Sequence, residues 1–139
     1  VTNDNDVQTA VNAAVSRHGK LAILFSNAGT VGRVSPSITA LDNADLKRVF
    51  EVKVFGAFYA AKHAARVMIP EKRGSTVFTS SVASVTQMKN LCVELGKYGI
   101  RVNWVSAYGV ATPLMTVGTG MKKEMVEKLL AEAGNLKEC

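Results

Sequence analysis

The feature that most constrains the fold is a short apolar run, Leu21 to Ser26, that ends in the turn Asn27-Ala28-Gly29. A run of this length, flanked by Gly19 and Gly29, predicts a central strand of a parallel sheet that is buried on both faces. In open α/β sheets, ligands bind in the crevice beyond the carboxyl ends of the strands. The turn from Asn27 to Gly29 is therefore predicted to face a ligand.

The rest of the chain predicts helices and strands in alternation. Helical spacing of apolar residues predicts helices from about Asp4 to Gly19, from Leu41 to Ile69, from Met88 to Leu95 and from Met121 to Ala133. β-rich runs predict strands over Ser75–Ser80 and Ile100–Ser106, and loops are expected over Thr30–Thr39 and Ala107–Gly120. This order predicts an α/β fold with a parallel sheet of about three strands, flanked by helices.

The long helix from Leu41 to Ile69 is expected to stop at Pro70, and it allows two interpretations. Its small residues would let a second helix approach closely, which predicts a helix-mediated dimer; they are Gly56, Ala57, Ala60, Ala61 and Ala64. The same periodicity is equally typical of a long helix packed in its own core. The pattern leaves both alternatives open.

Composition indicates a globular protein without a membrane anchor. The 139 residues are 47% hydrophobic and 20% charged, which fits a single domain, and no apolar run approaches the ~20 residues that span a bilayer. No signal peptide is recognised. The two cysteines, Cys92 and Cys139, form neither a disulfide framework nor a metal-ligand spacing, so a reducing, cytoplasmic location is expected.

The net charge of +6 raises the question of an acidic partner. The basic residues are scattered between Arg17 and Lys137 in runs of two at most, and no aromatic residues are interleaved with them. A stacking platform and a basic stripe are both missing, which argues against nucleic-acid binding.

Four segments resemble the short-chain dehydrogenases/reductases, in the branch of plant enzymes related to tropinone reductases and secoisolariciresinol dehydrogenase. They are Asn27-Ala28-Gly29 after a strand, Lys62–Pro70 in the long helix, Phe78–Ser84 at the end of a strand, and Asn90–Asn103. The resemblance implies a doubly wound, Rossmann-like fold, NAD or NADP as cofactor, and hydride transfer to or from a small carbonyl or alcohol. It also implies that Asn27, Ala28, Gly29 and Thr112 belong to the nicotinamide half of a cofactor site.

The chain departs from this family where catalysis would take place. Ser81 matches the family's catalytic serine, but the family's Tyr-x-x-x-Lys should follow after a dozen or so residues. Instead, Val85–Asn90 runs directly into the later part of the next helix. The glycine-rich pyrophosphate loop of the family is expected upstream of Val1. The chain is accordingly interpreted as one partial domain, 1–139, that lacks both motifs.

Lys53, Tyr98 and Tyr108 are candidate substitutes for the missing groups, and the sequence favours a structural role for the tyrosines. Lys53 occupies the position of an asparagine that holds a water in the family's proton relay. Tyr98 and Tyr108 have no lysine four positions later, and a tyrosine needs a nearby cation or strong hydrogen bonds to lower its pKa from about 10.

Three hypotheses follow. The first is a truncated homologue without classical dehydrogenase activity, which persists as a small-molecule-binding or self-associating module. The second is a divergent enzyme that uses Ser81, Asn27 and Lys53 on a terpenoid-like or phenolic-like substrate. The third is a fragment of an active NAD(P)-dependent alcohol dehydrogenase.

The first hypothesis carries two expectations about binding. NAD and NADP should bind weakly, since the positioning and the acid/base groups are both missing. With only three strands, the Leu21–Ser26 strand would become a sheet edge with bare apolar faces, so the chain should self-associate through this edge or through the long helix.

Overall fold

The computed structural model describes residues 1–33, 35, 37–80, 89–107 and 109–133. The elements are α1 (Asp4–His18), β1 (Ile23–Ser26), a 3-10 turn (Ile38–Ala40), α2 (Asn43–Phe50), a π-turn (Glu51–Phe55), α3 (Gly56–Glu71), β2 (Gly74–Ser80), α4 (Lys89–Gly96), β3 (Ile100–Ser106), α5 (Pro113–Thr119) and α6 (Lys123–Ala133). They form two compact units, one of Val1–Gly29 with Phe50–Ala107, and one of Thr30–Val49 with Tyr108–Cys139. The sheet lies in the first unit.

The first helix has local start and stop signals in the sequence. The side chain of Asn3 caps α1 by accepting hydrogen bonds from the backbone N–H groups of Asn5 at 2.9 Å and of Asp6 at 3.3 Å. Gly19 ends the helix in the left-handed conformation, with φ of 76°, which a residue without Cβ adopts at little cost. The predicted helix is confirmed.

The described strands form one parallel sheet in the order β1, β2, β3. Ile23 lies opposite Ser75 in the first pair, and Gly74 lies opposite Ile100 in the second. The predicted α/β class with about three parallel strands is confirmed, and β2 is the central strand.

Two helices cover one face of this sheet. The buried core joins Ala64 and Met68 of α3 to Leu95 of α4 and Ile100 of β3, and Leu24 and Val102 pack against it. Gly74 has no side chain, which leaves the space that the Met68 side chain fills. The core therefore lies between the sheet and the helices α3 and α4.

The opposite, outer face of the sheet corrects a prediction. Strand β1 was predicted to be central and buried on both faces, but 66% of Ile23 and 61% of Phe25 are exposed. The reason is that β1 has one strand neighbour among the described residues and that its outward side chains lie on the uncovered face. The expectation that this strand becomes a sheet edge is confirmed.

The predicted long helix is present, but it is not a uniform α-helix. Between α2 and α3 the backbone N–H of Gly56 bonds the carbonyl of Glu51, which makes one π-turn with an extra residue. Pro70 was predicted to mark the end, yet it lies inside the last turn; the helix stops after Glu71, where Lys72 takes a left-handed conformation with φ of 50°.

The small residues of the long helix pack against other parts of the same chain. Ala60, Ala61 and Ala64 are buried, and a Cβ on Gly56 would come within 3.1 Å of the Val1 side chain. This favours the core-helix interpretation for that face, because α1 and Val1 take the space that a partner helix would need.

The second unit contains a helix that the sequence pattern missed. The loop predicted from Ala107 to Gly120 includes α5, which begins at Pro113 and is ended by Gly120 with φ of 68°. Proline at the first helical position and glycine after the last are usual helix signals. The prediction of a loop was wrong there because seven residues give too short a window for helical periodicity.

Candidate functional site

The turn after β1 is exposed and is tied to the neighbouring strand. Asn27, Ala28 and Gly29 all lie at the surface. The Thr79 hydroxyl, near the end of β2, donates a hydrogen bond to the Asn27 side-chain oxygen at 2.5 Å. Because β1 and β2 are parallel, their carboxyl ends meet here, as the sequence led us to expect.

An apolar cleft of about 390 Å³ lies beside this turn, between α1, β1 and the start of α3. Its walls include Val7 and Val11 of α1, Leu24 and Phe25 of β1, and Ala57 and Ala60 of α3. Asn27 and Ala28 also line it. The size and the apolar lining are those of a site for an apolar group.

A polar cluster holds α1 against α3. Asp4 accepts hydrogen bonds from Lys62 Nζ at 2.8 and 3.0 Å, and the Nε2 atom of His63 lies 2.8 Å from the same carboxylate. The hydrogen bond from Lys62, and then that from His63, lowers the pKa of Asp4 below its ordinary value. The cluster therefore favours an ionised Asp4 and stabilises the contact between the two helices.

His63 in this cluster is buried, with 3% of its surface exposed. Its Nδ1 atom is buried without a hydrogen-bond partner among the described residues. His63 is therefore a packing residue of the contact between α1 and α3. Its partner Asp4 was missed, because no local pattern connects residues 59 positions apart.

A second polar network belongs to the unit formed by Thr30–Val49 and Tyr108–Cys139. Arg48 donates hydrogen bonds to the Thr30 hydroxyl at 2.6 Å, to the Val31 carbonyl at 2.9 Å and to the Asp45 carboxylate at 2.6 Å. The bond from Arg48, followed by that from the Arg33 backbone N–H, lowers the pKa of Asp45. The guanidinium is engaged in holding the Thr30 loop to α2, so its role here is structural.

The lining of the cleft does not include Gly29, Lys53 or Thr112. Lys53 is exposed in the π-turn and is not part of the cleft lining. Thr112 precedes α5 in the second unit, where its carbonyl accepts the Met115 N–H at 2.9 Å. Ser81 and Tyr108 lie outside the described residues. The proposed roles of Asn27, Ala28, Gly29, Thr112 and Ser81 therefore stay predictions.

The described residues are poorly suited to bind the pyrophosphate of a dinucleotide cofactor. No Gly-x-Gly-x-x-Gly occurs in the 139 residues. The N-terminus of α1, where a phosphate could meet free N–H groups, is capped by Asn3 and has Asp4 and Asp6 in its first turn. Carboxylates there repel an anion, so the described residues do not fit this part of the cofactor.

The described part of the chain has neither a cluster of metal ligands nor a membrane-spanning helix. Nowhere in it do three His, Cys, Asp or Glu side chains come together as metal ligands. No helix within the same residues is long and apolar enough to cross a bilayer.

Comparison with known proteins identifies relatives of this chain. A family model described as short chain dehydrogenase matches residues 1–93. A short chain aldehyde dehydrogenase 1 of Euphorbia lathyris is 50% identical over 162 residues, which cover 99% of this chain and 56% of the relative. Secoisolariciresinol dehydrogenase of Forsythia intermedia is 42% identical over 155 residues, with coverages of 99% and 56%.

A solved dehydrogenase structure has a fold similar to that of this chain. The structure of NAD+-bound xylitol dehydrogenase superimposes with a TM-score of 0.77 at 26% identity, over 95% of this chain and 62% of that one. The chain thus spans a little over half the length of the curated relatives that it matches. On the family model and these relatives, the chain belongs to the short-chain dehydrogenase/reductase family.

Proposed function

We propose that this chain descends from an NAD(P)-dependent oxidoreductase, has no hydride-transfer activity of its own, and acts as a self-associating module. The observation that carries the proposal is the short connection between β2 and α4. Only residues 81–88 separate the two elements, and the sequence contains no Tyr-x-x-x-Lys. Tyr59, Tyr98 and Tyr108 are followed four positions later by His63, Val102 and Thr112, none of which is a lysine.

The alignment with the Euphorbia protein supports this proposal. It extends over 162 residues, more than the 139 of this chain, so the relative carries residues that have no counterpart here. Losing a positioned proton donor removes acid/base help of about 10²- to 10⁴-fold in rate. Cofactor binding is proposed to be weak, since the described residues do not fit the pyrophosphate.

An activity assay tests the proposal. Neither NADH nor NADPH should be oxidised above the buffer rate with a panel of terpenoid and phenolic ketones, and the full-length Euphorbia relative serves as the positive control. Calorimetry should detect no cofactor binding in the micromolar range. Turnover above the buffer rate, or micromolar affinity for either cofactor, would contradict it.

Self-association is proposed to use the side of the long helix that faces away from its core. Phe50, Phe55 and Phe58 are 50%, 48% and 52% exposed. In a regular α-helix, Phe50 and Phe55 would lie about 140° apart around the axis. The π-turn adds one residue between them and brings the three rings to one side. Such an exposed apolar patch marks an interaction surface.

A second copy of the chain suits this surface. About a midpoint between Phe55 and Phe58, an antiparallel helix pair would set Phe55 opposite the second copy's Phe58. The proposed interface is therefore symmetric and apolar at its centre.

Sedimentation at increasing protein concentration tests this interface. The protein should sediment faster as its concentration rises, and Phe58→Glu should reduce that change. Val93→Glu is a matched control, because Val93 is 69% exposed and belongs to a different helix, α4. A concentration-independent monomer, or equal behaviour of the two variants, would contradict the proposal.

The proposal also includes a cytoplasmic location and a small apolar ligand. Cys92 is a free thiol, in keeping with a reducing, cytoplasmic location, which a fluorescent fusion expressed in plant cells would test. A small apolar ligand stays a prediction, and the apolar cleft, at about 390 Å³, is within the range of ligand sites.

A further inference from the structure

Basic residues lie around the start of each strand of the sheet. Six of them have exposed side chains and together are called the basic end: Arg17 and Lys20 before β1, Lys72 and Arg73 before β2, and Lys97 and Arg101 around the start of β3. In the sequence they are far apart and form no run longer than two. Because the three strands are parallel, their amino ends lie at the same end of the sheet, opposite to the turn that contains Asn27.

Backbone contacts hold the three turns before these strands side by side. The Ser75 N–H donates a hydrogen bond to the Ala22 carbonyl at 3.0 Å, which joins the starts of β1 and β2. A Cβ on Gly99 would stand 2.9 Å from the Lys72 carbonyl oxygen, so the turn before β3 contacts the turn before β2. Neighbouring strands lie about 4.8 Å apart. The fold therefore brings together on one surface the charges that are scattered in the sequence.

The positive charge of the basic end is not neutralised by ion pairs within the described residues. None of its six side chains forms one there, whereas Arg48, Lys62 and Lys123 elsewhere in the chain each contact a carboxylate. The acidic residues in the last turns of α3 and α4 are Glu71 and Glu94. Two carboxylates do not balance six cations, so the surface carries an excess of positive charge.

Helix ends account for part of this arrangement but not for all of it. The helices α1, α3 and α4 all end here, and the C-terminal end of a helix attracts cations because it carries roughly half a negative elementary charge. Arg17 and Lys72 occupy such positions. Arg101 instead lies on strand β3, opposite Ser75, and its side chain is exposed. Stabilisation of helix ends therefore does not explain why all six cations share one surface.

We propose that the basic end binds the anionic surface of a lipid membrane, with the protein lying on the bilayer and not crossing it. Clusters of about four to eight Lys and Arg residues are typical of surfaces that bind anionic lipid headgroups, and each such residue near the membrane strengthens binding about fivefold. A contact of this kind needs no membrane-spanning helix, and the described residues contain none. The basic end has the number of charges that such binding requires.

Two observations favour a lipid surface over other polyanions. None of the six basic residues lines the apolar cleft, so the partner does not have to enter it and a flat array of headgroups suffices. The Tyr98 ring, which is 39% exposed next to Lys97, is the kind of amphipathic group that is enriched at the membrane–water interface. A single-stranded nucleic acid would need several aromatic faces for successive bases, and Tyr98 is the only aromatic residue in the three turns.

Vesicle sedimentation with the full 139-residue chain tests the proposal. The protein should sediment with phosphatidylcholine vesicles that contain phosphatidylserine and should stay in solution with phosphatidylcholine alone. An ionic strength of about 1 M, where the Debye length is roughly 3 Å, should release it. Arg73→Gln combined with Lys97→Gln should weaken binding about tenfold or more. Lys122→Gln combined with Lys128→Gln is the matched control, because it removes the same charge from exposed positions of the second unit.

Four results would overturn the proposal. They are equal binding to both kinds of vesicle, binding to neither, retention on the vesicles at high ionic strength, and an equal loss of binding in the two folded double variants. Tighter binding to a single-stranded DNA oligonucleotide than to the phosphatidylserine vesicles would also contradict it and would assign the surface to nucleic acid. If the double variant fails to fold, the lipid and salt dependence of the unaltered protein still decide, and neither depends on hydride transfer.

Discussion

The two faces of the sheet carry similar apolar side chains, but the side chains of one face are buried and those of the other are exposed. On the inner face, Phe78 and Ile100 are each 2% exposed, and Ile100 packs with Met68 of α3 and Leu95 of α4. On the outer face, Phe25 is 61% exposed and Val105 is 54% exposed. The comparison teaches that burial in this chain is decided by which layer covers a strand, and not by the hydrophobicity of the strand itself.

The largest expected effect is on the covered side. Met68→Ala should lower the free energy of unfolding by about 2–5 kcal/mol, since Met68 is fully buried against Ala64 and Leu95 and truncation leaves a cavity. Val93→Ala, at a 69% exposed position of α4, should change it by less than about 0.5 kcal/mol. Urea unfolding followed by circular dichroism measures both. Equal losses would mean that the distinction between covered and uncovered positions is wrong.

The next effect concerns the polar contact between α1 and α3. His63→Ala should cost on the order of 2 kcal/mol, because it empties a buried position and removes a hydrogen-bonding partner of Asp4. Its neighbour Lys62 is 59% exposed, so Lys62→Ala should cost at most about 1 kcal/mol. Parallel urea titrations compare the two. A larger loss for Lys62 would show that the exposed ion pair, and not the buried ring, holds α1.

The same contact should make the protein sensitive to acid. Lys62 and His63 hold the pKa of Asp4 below 3.8, so the stability that Asp4 contributes is present above that pH and is lost as the pH falls through the lowered value. Asp4→Asn should show less stability at neutral pH and a smaller loss below about pH 4. Thermal unfolding from neutral to strongly acidic pH measures the difference. An unchanged acid profile in Asp4→Asn would argue that this carboxylate is not held in the folded state.

The smallest effect is expected on the uncovered face. Phe25→Ser should leave the free energy of unfolding within about 0.5 kcal/mol of the parent, because the ring is mostly exposed. Phe78→Ser, with the same change on the covered face, is the matched control and should be strongly destabilising. A loss of several kcal/mol from Phe25→Ser in the urea transition would show that something covers the outer face in solution.

Local signals made much of the fold predictable. Strand β3 has the predicted bounds, Ile100–Ser106, because alternating residues and Gly99 delimit it. The end of α1 at Gly19 is equally local. The edge position of β1 followed from counting strands, but the exposure of Ile23 and Phe25 depends on a layer that no local pattern contains. The burial of each strand face is therefore determined by contacts between residues far apart in the sequence, which sequence spacing does not predict.

The candidate site was predictable to a similar degree. The place of Asn27 at the end of β1 followed from the strand and its turn, whereas its hydrogen bond to Thr79 depends on the pairing of β1 with β2. The ion pair of Asp4 with Lys62 and the apolar cleft depend on how α1 packs, which the amphipathic pattern of α1 does not specify. Lys53 was a reasonable candidate from its position in the family pattern, but the cleft lies elsewhere.

The π-turn at Glu51–Phe55 lets the long helix hold one extra residue without turning its exposed aromatic residues apart. Loss of a single codon there would leave four residue steps between Phe50 and Phe55, which span about 40° around the axis of a regular α-helix. The exposed phenylalanines would then still share one side. Straightening the same segment into a regular α-helix with every residue kept would instead set Phe50 and Phe55 about 140° apart, so the shared side depends on the match between residue count and helix type.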